Sequence, residues 1–237
     1  METSDSDKVA LVTGSNKGIG FEIAKGLSRA GVRVYLGARD EARGRAAERT
    51  LHEAGLDATW IALDVTDSSS MLRARESIER RSQRLDILVN NAAIAMRFSS
   101  DPAVIYATNV FGVAEMMRAF TPLLARVRGR VINVSSSLGS LTRLSDRAHP
   151  ASQAGPGFWQ YASSKTAVNA LTVLFASALA EHGVSVNAVC PGHCATDLNG
   201  HTGPRSAEQG ARIALKMALT PEPGSGRCVD DAGVVPW

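Results

Sequence analysis

The chain has 237 residues, 44% of them hydrophobic and 21% charged, which at roughly 150 residues per domain predicts one large domain or a tight pair over 1–237 and excludes disorder for most of it. Twenty-six Lys and Arg against 23 Asp and Glu leave a formal charge of +3, with the basic residues spread along the chain rather than clustered. With only 5% aromatic residues there is little material for a base-stacking platform, so nucleic acid is not an expected partner and the basic stretches 73–84 and 126–130 read as solvated helix faces.

Met1 to Asp7 is polar and acidic and carries no apolar leader. Lys8 to Thr13 reads as a buried strand and is followed by Thr13-Gly14-Ser15-Asn16-Lys17-Gly18-Ile19-Gly20, which runs into a helical period over Ile19 to Arg29. A strand, a glycine-rich turn and a helix N-terminus make a phosphate site. The glycines permit close backbone approach, and the free N–H groups and dipole of the helix attract an anion. The spacing Gly-x-x-x-Gly-x-Gly differs from the commoner dinucleotide fingerprint and from the nucleoside-triphosphate loop. The second strand, Val32 to Ala38, ends in Ala38-Arg39-Asp40, where a carboxylate would hold the ribose 2′-hydroxyl of NAD. Arg39 instead offers a guanidinium fork to a 2′-phosphate, and Lys17 and Arg43 add charge, so NADP(H) is favoured. Asp40 serves NAD if the register shifts by one, and Arg43 taken alone reads equally as an exposed arginine.

A helix over Glu41 to Glu53 leads to a strand at Ala58 to Leu63, and Asp64-Val65 sets a carboxylate at its end, where open parallel sheets bind ligands and an adenine amino group is a suitable partner. A helix over Ser68 to Gln83 and a strand over Asp86 to Val89 precede Asn90-Asn91-Ala92-Ala93, whose amides and small residues suit close approach of a ribose or, equally, a turn. A helical pattern over Pro102 to Leu124 and a strand over Arg130 to Ser135 follow, with hydroxyls in Asn133-Val134-Ser135-Ser136-Ser137 able to polarise a carbonyl. Leu138 to Gln160 has no period and is long for a connection, as functional loops are.

Tyr161-Ala162-Ser163-Ser164-Lys165 opens a helix over Tyr161 to His182, and the i, i+4 spacing puts Tyr161 and Lys165 on one face. A cation beside a phenol stabilises the phenolate and lowers a pKa of about 10, so that the tyrosine exchanges a proton near neutrality. Such a pair also occurs on ordinary helix surfaces; its joint occurrence with the glycine turn carries the weight. Val168, Leu171, Leu174, Phe175 and Leu179 read as core. The nearly apolar run Leu171 to Ala180 falls well short of the ~20 residues that cross a bilayer, so no membrane partner is expected. After the strand Val184 to Val189, Cys190-Pro191-Gly192-His193-Cys194 brings sulfur and imidazole together. No second ligand cluster appears and no zinc spacing fits, so no metal is read there. Gly/Pro-rich stretches at 199–205 and 221–226 flank a helix over Ala207 to Ala218 and precede a last strand, Arg227 to Asp230; with 138–160 they are candidate walls of one pocket. Three cysteines, an odd number, fit a reducing cytoplasm. The alternation of apolar strands with helices predicts an α/β fold whose parallel sheet is covered on both faces.

These motifs, in this order and over essentially the whole chain, resemble the short-chain dehydrogenase/reductase family, with Thr108-Asn109-Val110-Phe111-Gly112, Ser136, Tyr161-x-x-x-Lys165 and Pro191-Gly192 joining the glycine turn and Asn90-Asn91-Ala92. The chain looks most like the NADPH-dependent carbonyl reductases, through Ala10-Leu11-Val12-Thr13 running to Gly20, Ala38-Arg39-Asp40 with Arg43-Gly44, and Leu85-Asp86-Ile87-Leu88-Val89. The resemblance implies a single-domain, Rossmann-like, doubly wound parallel sheet of about seven strands, with 138–160 an inserted substrate-side loop and 193–226 a substrate-side segment. It implies Tyr161 as proton donor, Lys165 also on the nicotinamide ribose, Ser136 on the substrate oxygen and Asn109 holding a relay water. Ser136 is chosen over its neighbours because the family serine lies three after the asparagine matching Asn133. Gly14, Asn16, Lys17, Gly18, Ile19, Gly20, Arg39, Arg43, Asp64, Val65, Asn91, Ala92, Pro191 and Gly192 map onto cofactor-contacting positions, and Thr196 onto the loop beside the nicotinamide.

Ala93 stands where the family usually has glycine, and His193 and Cys194 replace the usual aromatic and β-branched residues, which changes the floor of the pocket. Phe158 and Trp159 join His193 and Cys194 as candidate substrate-lining residues. An insertion between Ser136 and Tyr161 obstructs the helix face that related enzymes use to build tetramers, which favours a monomer. The implied function is NADPH-dependent reduction of a small-molecule ketone, aldehyde or quinone, polycyclic aromatics included. Two alternatives are an auxiliary reductase that prepares an aromatic or quinonoid metabolite for a partner oxygenase, and a non-catalytic NADP(H)-binding sensor. The sensor has little need of Asn109, Ser136, Tyr161 and Lys165 together.

Overall fold

The apolar runs pair side by side. β1 (Val9–Thr13), β2 (Arg33–Ala38), β3 (Ala58–Ala62), β4 (Ile87–Asn90), β5 (Arg130–Val134), β6 (Ser185–Val189) and β7 (Cys228–Asp230) are parallel, in the order β3-β2-β1-β4-β5-β6-β7. The computed structural model describes residues 8–237, so the polar start lies outside the described residues. The register sets Leu11 beside both Tyr35 and Leu88. Alternate residues of a strand face opposite sides, and both sides are covered here. Val9 and Leu11 enter one core with residues of α3 (Ser68–Ser82), α5 (Gly112–Ala125) and α7 (Trp159–Ala178), whereas Ala10 and Val12 enter a second with α1 (Gly18–Arg29), α2 (Glu41–Glu53) and α8 (Ala207–Leu219). This two-sided burial is why the strands show no polar alternation.

The chain order reverses between β1 and β4, which opens a crevice at the carboxyl ends of those strands, the place where doubly wound sheets take ligands. The glycine turn leaves β1 there, Asn90 and Asn91 leave β4, and Ser135 and Ser136 leave β5.

Four features depart from the sequence reading. An eighth strand, β8 (Gly233–Val235), runs antiparallel to β7 and closes that edge of the sheet; it is three residues long and starts at a glycine with φ +128, so it lacks a strand signature. The helix expected over Pro102 to Leu124 is α4 (Pro102–Tyr106), a π-helical turn at Ala107–Phe111, then α5. The segment 138–160 contains α6 (Leu141–Ser145) and short 3₁₀ turns, started by caps from Ser140 and His149 and by Pro150 and Pro156. Leu174, expected in the core, is 65% exposed. It lies six residues from buried Val168, roughly 240° around the helix, and therefore faces away. Among the described residues no helix is long and apolar enough to cross a membrane.

Candidate active site

The glycine turn is shaped from below by Thr13 and Asn91. The Thr13 hydroxyl accepts from the backbone N–H groups of Asn91 and Ala92, each at 3.0 Å. The Asn91 side-chain amide donates to the carbonyls of Thr13 and Gly14, at 2.9 and 3.2 Å. Gly14 takes φ +63, and a Cβ there would stand 2.9 Å from Ala92 Cα; at Gly20 it would meet Asn91 Nδ2 at 2.3 Å. Asn91, read as a ribose-side amide, therefore spends its N–H donors on the turn itself, and Ala92 is the backbone the turn rests on.

The starts of α2, α3, α4, α6 and α8 are capped by the side chains of Asp40, Asp67, Asp101, Ser140 and Ser206, whereas Lys17, at the start of α1, supplies no side-chain cap. The first N–H groups of α1 thus face outward with the helix dipole behind them. Beside this helix start lies a cleft of about 700 Å³ lined by Asn16, Lys17, Phe21, Arg43, Ala46, Ala47, Thr50 and Asp197. Lys17 and Arg43 come together there; Arg39 is exposed at the end of β2, beside it in sequence but not in the lining. Asp64 Oδ1 accepts from Thr66 N and Oγ1, at 2.9 and 2.7 Å, in a local turn. Val65 is buried against Gly112, where a Cβ would lie 2.7 Å from its carbonyl oxygen.

A second group of side chains gathers where β4 and β5 meet α7. The Tyr161 hydroxyl lies near the Ser136 side chain, and Ser136 Oγ accepts from Leu138 N at 3.2 Å. Lys165 Nζ lies 5.6 Å from the centre of the Tyr161 ring and donates to the Val134 carbonyl at 2.8 Å. Asn109, in the π-helical turn, is fully buried; its Oδ1 accepts from Ile94 N, and its Nδ2 donates to Ile94 O and Ser164 Oγ. Ser135 points elsewhere, donating to Asn169 Oδ1 at 2.6 Å, and Asn169 holds the Gly139 carbonyl at 2.9 Å. Gly139 packs so closely on Lys165 that a Cβ would lie 2.8 Å from its backbone.

The electrostatics differ from the sequence expectation. Burial, with a smaller contribution from nearby Cys190, pushes the Tyr161 phenol above its usual range, and only the nearby Ser136 hydroxyl works the other way. Burial also pushes Lys165 down to about 8. The phenol of the protein alone is thus held protonated, because taking either charged form out of water costs more than this pair returns.

The segment after β6 forms the opposite wall. Gly192 takes φ +77, and Thr196 lies over the glycine turn, with its Cγ2 3.7 Å from where a Gly18 Cβ would be. Ile19 and Pro191 both pack around Gly210 of α8. Cys194 is buried, donates its thiol to the Pro191 carbonyl at 3.3 Å and would sit 2.4 Å from a Cβ at Gly210. Its sulfur serves the packing of this turn on α8, in contrast to the substrate-lining reading. His193 is exposed, and Phe158 and Trp159 are 45% and 54% exposed at the start of α7. Thr13, Ser164 and Asn169 were not singled out from sequence. Thr13 stood inside the glycine motif and Ser164 inside the Tyr–Lys motif, and only their partners distinguish them.

The sequence pattern of the short chain dehydrogenase family matches residues 8–207. The chain is 34% identical to a short-chain dehydrogenase, anuI, of Penicillium roqueforti over 94% of each chain. It is also 34% identical to carbonyl reductase [NADPH] 1 of Bos taurus, covering 99% of this chain and 100% of that protein. Salutaridine reductase from Papaver somniferum superposes with a TM-score of 0.83 at 29% identity, over 94% of this chain and 99% of that one. With a family match across most of its length and relatives above 30% identity along nearly all of it, the chain belongs to the short-chain dehydrogenase family.

Proposed function

We propose that the protein is an NADPH-dependent carbonyl reductase. The observation that carries this reading is the gathering of Tyr161, Ser136 and Lys165 in one group, with the phenol kept protonated by burial. A protonated acid beside a second hydroxyl is what a carbonyl oxygen needs as negative charge develops on it. The similarity to carbonyl reductase [NADPH] 1 supports the same choice of cofactor.

The residues fit a dinucleotide phosphate. The uncapped start of α1, the positive-φ glycines and the convergence of Lys17 and Arg43 on one cleft suit an anion at that end of the crevice. Lys17, Arg43 and the α1 N–H groups would hold the phosphates, with Arg39 within the same neighbourhood, and Thr196 and Lys165 would lie toward the nicotinamide. When bound, NADPH supplies the hydride that reduces the carbonyl carbon. Tyr161 delivers the proton to the oxygen, Ser136 orients that oxygen, and Lys165 provides positive charge beside the phenol as it loses its proton. Asn109, locked at all three of its hydrogen bonds, fixes the backbone of the π-helical turn beside this group.

The test follows nicotinamide absorbance with NADPH and, separately, NADH against aromatic ketones, aldehydes, ortho- and para-quinones and polycyclic natural products. Turnover with NADPH that falls about 10²- to 10⁴-fold in Tyr161→Phe, with NADPH affinity retained, is the expected result. Loss of cofactor binding together with activity in that variant would count against the assignment, and NADPH binding without turnover on any carbonyl would turn the reading toward a sensor.

A further inference from the structure

The cleft that gathers Lys17 and Arg43 also contains an acid. Asp197 lines it, with Oδ2 ion-paired to Lys17 Nζ and Oδ1 2.7 Å from His201 Nε2. Lys17 and Asp197 are 48% and 45% exposed, so the pair stands at the mouth of the cleft and joins its two walls, the glycine turn on one side and the segment after Thr196 on the other. The acid is not a loose surface group. Asn199 Nδ2 donates to the Cys194 carbonyl at 2.8 Å, Asn199 Oδ1 accepts from Thr196 N at 3.3 Å, and His201 N donates to the Thr196 carbonyl at 2.9 Å. This turn fixes the backbone of Asp197 opposite Lys17. The Lys17 ammonium first, and His201 second, hold its carboxyl below the usual carboxylate range.

A pocket for a phosphate dianion is expected to offer donors and cations. Here a fixed carboxylate faces that pocket and neutralises one of its cations. The second cation, Arg43, likewise has a carboxylate close by, with Nε 3.7 Å from Asp40 Oδ2. An exposed ion pair of this kind holds its partners weakly, so a phosphate can take Lys17 from Asp197 without unfolding the turn.

Building on the NADP(H) reading above, we infer that Asp197 is an affinity-setting residue that competes with the cofactor's phosphate for Lys17. On binding, Lys17 exchanges the Asp197 carboxylate for the phosphate, and Asp197 is left with His201 as its partner. The cost of that exchange lowers affinity for the phosphorylated dinucleotide, which suits an enzyme that must release its oxidised cofactor in every cycle.

The test is a set of dissociation constants for NADPH, adenosine 2′,5′-bisphosphate and adenosine 5′-monophosphate, measured by titration calorimetry on the wild type, Asp197→Asn, Asp197→Ser, Lys17→Met and the Lys17→Met/Asp197→Asn double variant. Both Asp197 variants should tighten NADPH and the bisphosphate about three- to fivefold, and the monophosphate by less. In the Lys17→Met background the gain from Asp197→Asn should shrink below about twofold, since the two residues act through one contact. Unchanged or weaker NADPH binding in both Asp197 variants overturns the inference, because Asp197 would then be inert or a clamp that presents Lys17. A gain of the same size without Lys17 overturns it too, as a general charge effect. A wild type that binds neither NADPH nor the bisphosphate overturns the cofactor reading itself, a result separable from the others because it is read without any variant.

Discussion

Asn109 Nδ2 donates to Ser164 Oγ at 3.0 Å, and Ser164 Oγ donates in turn to the Tyr161 carbonyl at 2.7 Å. Asn109 and Ser164 are both fully buried, so this chain of hydrogen bonds ties the π-helical turn to the first turn of α7 without competition from water. A helix that must hold a phenol to a fraction of an ångström gains from such a tie.

Ser164→Ala should therefore loosen Tyr161 while leaving the glycine turn alone. One buried amide N–H of Asn109 loses its acceptor, at a cost of about 1–3 kcal/mol. Urea denaturation should show that loss, and kcat should fall about tenfold while the NADPH dissociation constant stays within about twofold. An unchanged kcat in a measurably destabilised variant would reduce Ser164 to a purely structural role.

Lys165 gives a signature in the pH dependence of stability. Its ordinary pKa of 10.5 is pushed down to about 8 by burial. Between these values the unfolded chain binds a proton at Lys165 that the folded chain does not, so stability rises with pH from about 8 to about 10.5. Tyr161 and the buried thiols of Cys190, Cys194 and Cys228 have raised values and act in the opposite sense, losing stability as pH climbs past their unfolded values. The difference between wild type and Lys165→Met isolates the lysine. In urea melts, wild type minus variant should grow by up to a few kcal/mol across that window and stay flat below it; a difference independent of pH would contradict the depressed value.

Thr13→Val should damage the site from below. The substitution keeps the shape of the side chain but removes the acceptor shared by Asn91 N and Ala92 N. Thr13 is 1% exposed, so no water replaces it. Ala92 N is left without an acceptor, while Asn91 N keeps the Val89 carbonyl at 3.1 Å, so a loss of about 1–3 kcal/mol is expected, accompanied by weaker NADPH binding as the turn relaxes. Thermal melts with and without NADPH check both, and a variant as stable as wild type would mean that the turn is held elsewhere.

What the sequence made legible follows the physics of each signal. β1 is apolar at every position because helices cover both faces, and the glycine turn is legible because Gly14 and Gly18 take positive φ at positions few other residues tolerate. The π-helical turn that holds Asn109 is invisible to a 3.6-residue period, since it inserts its irregularity inside an otherwise apolar helix. Segment 138–160 hides short turns set by Ser140, His149 and two prolines, each too brief to show a period. Asp197 carried no signal at all, because its meaning comes from Lys17, far away along the chain.

Segment 138–160 yields the last prediction. Residues 140–143 are tied to the hairpin of β7 and β8 at several points. Ser140 Oγ donates to the Pro236 carbonyl at 2.5 Å, Thr142 donates to the Trp237 carbonyl from N and Oγ1 at 2.9 and 2.5 Å, and Arg143 Nη2 meets Asp230 Oδ2 at 2.8 Å. The ions of that bridge are each only 17% exposed, so breaking it strands a largely desolvated Asp230. Arg143→Met should cost about 2–4 kcal/mol. Gly139, immediately upstream, rests on Lys165, so loosening the ties is expected to disturb the loop beside the Tyr161–Lys165 pair. Removal of Pro236 and Trp237 should thus raise the KM of a carbonyl substrate severalfold with NADPH affinity unchanged. Steady-state kinetics on the truncated chain check this, and an unchanged KM would show that the loop keeps its position through its own turns.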